Sequence, residues 1–331
     1  MPRPISGRRF APKIRMMIVR MIRSSGSPMR PIVYLAVFGT TVFGTTVFGT
    51  TLCGMTIVPR AEQQPVPQFS SRVQLVEVYA SVTDAAGGPV TGLQQDDFVV
   101  AENGQRQAIT TFAAGEFPLA VALGVDRSWS MAGEKLAHAK LAAHSFLNLL
   151  KPADRSMVIA ISAEADLIAP LSMDRASQVR AVKQLDPWST TALHDAIIAA
   201  LDRLEPEPGR QALVVFSDGT DRYSKAKPAD VLARARRSTA LVYPIAFGKT
   251  RPPLLAELAI LTGGRSFLLK DTRELERTLA TVARELRHQY LLGYTPSKPI
   301  VAGESEWRSI RVTLRNPRPG IRVRARDGYQ S

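Results

Sequence analysis

PLAVALGVDRSWSM, residues 118–131, sets an uninterrupted apolar run directly before an aspartate and two serines at alternate positions, Asp126, Ser128 and Ser130. A short continuous apolar run bounded by polar residues is what a strand covered on both faces requires. Three further runs follow the pattern: MVIAISA (157–163), ALVVFSDG (212–219) and LVYPIAFG (241–248). Amphipathic helix patterns lie between and after them. EKLAHAKLAAHSFLNLL (134–150) sets Leu136, Ala143, Phe146 and Leu150 on one side. DTRELERTLATVAREL (271–286) opens with Asp271 and Glu274 at capping-box spacing and aligns Leu275, Leu279, Val282 and Leu286. Strands alternating with helices predict an α/β fold with a doubly wound, mostly parallel sheet over residues 116–288.

In such a sheet, ligands bind beyond the carboxyl ends of the strands, where the strand order reverses. Asp126 ends the first apolar run and Asp218 ends ALVVFSD, so both carboxylates are expected on one rim. Ser128 and Ser130 add hydroxyls where the chain turns over it. STTALHDAI (189–197) begins a helix and offers Thr191, with Thr190 as the alternative. Asp126, Ser128, Ser130, Thr191 and Asp218 form an all-oxygen donor set, which suits a hard cation: Mg²⁺ first, with Mn²⁺ or Ca²⁺ also accommodated. Two carboxylates balance a divalent charge and leave room for one more oxygen, which an acidic residue of a protein partner can supply. The competing reading of Asp126, Ser128 and Ser130 is a helix cap after a strand. Thr191 and Asp218 in register weigh for the metal.

DRSWSM, TTALHDA and FSDG, in this order over residues 117 to about 288, resemble the metal-ion-dependent adhesion site of the von Willebrand factor type A (VWFA) domain. That site reads Asp-x-Ser-x-Ser, then a threonine, then an aspartate in a Ser/Thr-Asp-Gly turn. VTDAAGGPVTGLQQDDFVV (82–100), YLLGYTP (290–296) and RVRARDGY (322–329) look like the flanks of the VWFA-related proteins described from Acidobacteria. This wider resemblance runs over about residues 73–331. It implies a Rossmann-like VWFA domain, direct metal contact from Ser128, Ser130 and Thr191, and Asp126 and Asp218 acting mostly through water. Two features depart from the pattern. Arg127 and Trp129 stand where small residues are common, and His194 where a tyrosine is frequent. Arg127 either weakens the cation electrostatically or helps attract an acidic ligand.

The flanks read as strands. An N-terminal β unit (73–115) contains VQLVEVYASVTD, a GGPVTG turn, DFVVAE, an Asn103-Gly104 hairpin signal and QRQAITTF. A C-terminal β unit (289–331) contains QYLLGYTP, WRSIRVTLRN and IRVRARDGY. Each is small for a stable core, so the two are expected to pack together. Arg322, Arg324 and Arg326 alternate with Ile321, Val323 and Ala325 and read as a solvated strand face.

The charge is unevenly placed. The 331-residue chain carries a net +14, and its first 60 residues hold nine Lys or Arg and no acid. The remainder, with 34 basic and 29 acidic residues, is ordinary for a soluble surface, which argues against nucleic acid as a partner. The basic region (1–31) precedes IVYLAVFGTTVFGTTVFGTTLCGMTIV (32–58), a stretch without charge and long enough to span a bilayer as a helix. Its three VFGTT repeats set Phe38, Phe43 and Phe48 five residues apart, spreading the rings around a helix axis. The expectation is a transmembrane or signal helix, with a linker (59–72) and everything after residue 60 outside the cytoplasm. The protein is then anchored in the cell envelope, or secreted or periplasmic if the segment is cleaved; a start at Met21 or Met29 would leave a more ordinary export signal. The single cysteine, Cys53, lies in this stretch, so the remainder has no disulfide.

No catalytic motif stands out. Ser130 has no G-x-S-x-G elbow, and His138, His144, His194 and His288 show no motif for a general base. Gly248-Lys249-Thr250 is preceded by Tyr243 where a phosphate loop needs its first glycine. The sequence therefore points to a non-catalytic binding module whose metal accepts a partner carboxylate. The alternative is an envelope scaffold with a weak or empty metal site that binds through its flanking β unit. An α/β enzyme is the third reading.

Overall fold

A computed structural model describes residues 75–300 and 305–330. The expected membrane or signal helix at 32–58 lies outside the described residues. Among those described, no helix is long and apolar enough to cross a membrane.

The described chain enters with β1 (Val76–Thr83), reaches β2 (Phe98–Glu102) and turns back into β3 (Gln105–Gln107) and β4 (Ile109–Gly115). Next come β5 (Leu119–Asp126), α1 (Glu134–Leu149), β6 (Arg155–Ile161), β7 (Ala165–Ser172), α2 (Arg175–Lys183), α3 (Leu193–Leu204) and β8 (Arg210–Ser217). They are followed by α4 (Pro228–Arg237), β9 (Leu241–Phe247), α5 (Pro253–Thr262), β10 (Phe267–Leu269) and α6 (Leu275–Arg287). The chain closes with β11 (Gln289–Tyr294), β12 (Trp307–Leu314), β13 (Arg322–Arg324) and β14 (Gly328–Gln330).

The central sheet has the order β10-β9-β8-β5-β6-β7, parallel except for β7, which runs antiparallel to β6. It is a mixed sheet. Both faces of β5 are buried, and its side chains divide between two cores. Val121, Leu123 and Val125 pack with α1, α2 and α6, while Ala120 and Ala122 pack with α3, α4 and α5. Full burial of each such aliphatic side chain is worth about 1.5–3 kcal/mol, so an apolar run on both faces has a direct energetic reason. The chain leaves β5 toward β6 on one side and returns to β8 on the other, so the order reverses between β5 and β8. Their register sets Val125 beside Phe216, which brings Asp126 and Asp218 to the same rim.

The flanking strands interleave. One sheet has the order β13-β1-β11-β4 and the other β14-β12-β2-β3. Both mix strands from either end of the chain, around a core that includes Val78, Phe98, Tyr290 and Leu292. Asn103 and Gly104 both take positive φ, as a two-residue hairpin demands. QRQAITTF, read as one strand, is two: β3 pairs with β2, and after Ala108 β4 pairs with β11 in the other sheet. A buried carboxylate anchors this unit. Glu102 accepts from Tyr294 Oη (2.7 Å), Tyr329 Oη (2.9 Å) and Arg308 Nη1 (3.2 Å).

Contacts tie these strands to the central sheet. Tyr243 of β9 donates to Glu285 of α6 (3.0 Å), and Glu285 pairs with Arg324 of β13. Gly263 ends α5 in the left-handed conformation, and a Cβ there would strike the backbone of Ala325 and Arg326.

Candidate metal centre

Asp126, the last residue of β5, is fully buried. Its Oδ1 accepts from the Ser128 N–H (2.9 Å) and its Oδ2 from the Ser217 hydroxyl (2.5 Å). These bonds fix both oxygens and curl the chain after β5 into a tight turn. Burial raises the Asp126 pKa above the ordinary aspartate value; hydrogen bonds from Ser128 and Ser217 oppose that rise, and the charge of Asp218 adds to it.

The turn places Ser128 Oγ 3.1 Å from Ser130 Oγ, with Ser128 buried and Ser130 exposed. Thr191 is buried and Thr190 only partly so. Three segments are clipped together here by their backbones. Trp188 N–H donates to the Arg127 carbonyl (2.8 Å) and Trp129 N–H to that of Ser189 (3.0 Å), joining the β5 turn to the 186–192 loop. The Thr191 carbonyl accepts from Arg222 and Tyr223 N–H (both 3.0 Å), joining that loop to the one after β8. Asp218 is half-buried, and its Oδ1 accepts from Thr220 N–H (3.1 Å). The structure thus gathers Asp126, Ser128 and Ser130 directly and brings Thr191 and Asp218 to them through adjoining loops.

The donors fit a hard cation. They are hydroxyls and carboxylates, and among the described residues no cluster of three or more His, Cys, Asp and Glu is placed to hold a metal. Arg127, the departure that bears most on the charge, turns to β7 and pairs with Asp166 at 2.9 Å, so its charge is already met. Lys135 Nζ donates to the Ser130 carbonyl (2.9 Å) and leaves an ammonium at the edge of the site.

Several neighbours were not singled out from the sequence. Ser217 orients Asp126 from the adjacent strand. Asp221 accepts from the His194 N–H (2.8 Å) and the Ser224 hydroxyl (2.6 Å), and Asp195 accepts from Lys225 and Ala226 N–H (both 2.9 Å). These bonds pin the loop after β8 to the start of α3. Although burial raises the Asp221 pKa, the hydrogen bonds from Ser224 and His194 bring it below the usual carboxylate value. Trp129, Trp188 and Tyr223, respectively 65, 60 and 62% exposed, belong to the clipped segments and give the rim an aromatic border. Three of the four histidines have side-chain partners: His138 pairs with Thr272, His144 with Asn148 and His194 with Ala226 and Asp221.

Residues 121–220 match the family model of the von Willebrand factor type A domain. The central domain accordingly has the VWA-type α/β fold with a mixed sheet. No curated protein matches the chain. Among solved structures, a von Willebrand factor type A protein from Catenulispora acidiphila is similar at 16% identity and TM-score 0.47, covering 77% of this chain and 73% of its own. The vWF domain of the type V pili tip protein Mfa5 from Porphyromonas gingivalis is similar at 11% identity and TM-score 0.43, covering 51% and 95%. Proximal thread matrix protein 1 from the mussel byssus, in a form with a zinc-occupied MIDAS motif, is similar at 15% identity and TM-score 0.46, covering 56% and 49%.

Proposed function

We propose that this protein is a non-catalytic, metal-dependent binding module of the bacterial cell envelope, related to the VWFA-related proteins described from Acidobacteria. Ser128, Ser130 and Thr191 hold a divalent cation directly, Mg²⁺ first, with Asp126 and Asp218 balancing its charge mostly through water. The cation accepts a carboxylate from a protein partner. The observation that carries this reading is the clipping of three separate segments around one buried carboxylate, Asp126, with the neighbouring arginine already neutralised by Asp166. The aromatic border of Trp129, Trp188 and Tyr223 supplies apolar area beside the acidic contact, the composition of a binding hot spot. Export rests on the basic region before the uncharged apolar stretch 32–58.

Calorimetric titration of Mg²⁺, Mn²⁺ and Ca²⁺ into the protein and into Asp126→Ala tests the cation site. Saturable binding by the wild type, lost in the variant, is expected. Partner capture from an envelope extract should then depend on the cation and fail with EDTA. Capture unaffected by both EDTA and Asp126→Ala would overturn the reading and leave the flanking β unit as the binding surface.

A further inference from the structure

A second site lies away from the metal centre, where the C-terminal strands meet the far edge of the central sheet. Of the three arginines expected on a solvated strand face, Arg322 is exposed, whereas Arg324 and Arg326 are partly buried. They line a cleft of about 870 Å³ together with Arg251, Arg265 and Arg311. Six arginines face one lining carboxylate, that of Asp327. Only Arg324 is ion-paired, with Glu285; among the described residues, the other five have no carboxylate within 4.0 Å. Arg265 instead lies over the Phe267 ring (4.7 Å), and Arg326 donates to the Gly328 carbonyl (2.7 Å). Burial holds the Arg326 guanidinium down to about 10, so this cation has lost hydration without gaining a counter-ion. That every lining cation is arginine points to planar oxyanions, which the guanidinium fork binds in pairs of hydrogen bonds.

The backbone around the cleft narrows the class of ligand. Among the described residues, three strands in its wall lack a hydrogen-bonded partner along all or part of one edge. β10 pairs only with β9, and β13 only with β1. β12 meets β14 over Trp307–Ser309, and the Ile310 N–H donates to Asp327 O (2.8 Å); beyond that, among the described residues, β13 runs beside β12 but no strand is hydrogen-bonded to the same edge. The Ile310 N–H points outward, so by alternation the N–H and C=O of Val312 do so as well. Free strand edges accept an added strand, whose side chains then alternate between the two sides. The chain's own first 60 residues contain no acid, and a second copy carries +14, so neither complements the cleft.

We propose that this cleft binds an extended acidic segment of another protein by strand addition, its Asp or Glu side chains meeting the unpaired arginines and its backbone pairing with the free edge of β12 or β13. The site is separate from the metal centre and needs no cation.

The test uses the full-length protein in EDTA, which silences any metal-dependent carboxylate binding. A labelled synthetic peptide of alternating Glu and Val is titrated against it, with an alternating Lys and Val peptide as control. The acidic peptide should bind, and the basic one should not. Arg311 and Arg322 are exposed and, among the described residues, their side chains make no hydrogen bond or ion pair, so Arg311→Glu/Arg322→Glu should fold normally and weaken binding by roughly tenfold or more. Arg311→Gln/Arg322→Gln should weaken it less, and Asp126→Ala should leave it unchanged. Hydrogen exchange should slow at Val312 or along β13 when the acidic peptide is bound. No binding, binding indifferent to the charge reversal, or binding without edge protection would overturn the proposal; the last result would mark a site for free anions such as phosphate.

Discussion

Asp126 organises its surroundings because a buried carboxylate must find donors, and it finds two, one from the following turn and one from the next strand. Ser217→Ala removes the second donor, and calorimetry should show cation affinity falling by about 1–2 kcal/mol as the Oδ2 position loosens. Lys135 acts in the opposite sense. Its ammonium at the Ser130 carbonyl repels a cation, so Lys135→Met should tighten cation binding modestly, and more at low salt than at high. Trp129→Ala and Trp188→Ala should leave cation affinity intact and weaken partner capture, which separates the aromatic border from the metal donors. The strand ends made Asp126 and Asp218 legible as a pair, and the D-x-S-x-S spacing made the serines legible. The role of Arg127 was not, because its partner Asp166 lies on β7, 39 positions along the chain.

At the scale of elements, legibility followed length and burial. β5, β6, β8 and β9 are continuous apolar runs and declared themselves. β7 has only one fully buried residue, and β10 has three residues in all, so neither carries a pattern strong enough to read. The break at Ala108 is a change of sheet that no local signal marks. β1 takes both its partners, β11 and β13, from the other end of the chain. Deleting residues 289–331 should therefore strip hydrogen-exchange protection from Val76–Thr83; retained protection would contradict this pairing. The loop after β8 carries a pH dependence of definite sign. The folded-state pKa of Asp221 is depressed, so its contribution is present above the unfolded value and lost as pH falls through the folded one. Hydrogen exchange at His194 and Ser224 should accelerate on acidification below the carboxylate range, and Asp221→Asn should abolish that response.

Across the whole molecule, the fold joins a central sheet that builds a rim to a two-sheet unit assembled from both flanks. The latter depends on Glu102, whose charge is balanced by Arg308 in a pair nearly sealed from water. Glu102→Ala leaves that buried guanidinium only Glu306 at 3.7 Å and two backbone carbonyls, and should cost about 3 kcal/mol in urea unfolding, whereas removing an exposed lysine by Lys298→Ala should cost less than about 1 kcal/mol. The arginine cleft was hidden from the sequence because its walls come from α5, β10, β12 and β13, and only their packing turns a strand face toward an open cleft. Crystals grown with Mn²⁺ and measured at its absorption edge would locate the ion by its anomalous signal. One strong peak is expected at the Ser128, Ser130 and Thr191 hydroxyls, absent in Asp126→Ala; no peak there at saturating Mn²⁺, or an equal peak in the variant, would contradict a cation site on this rim.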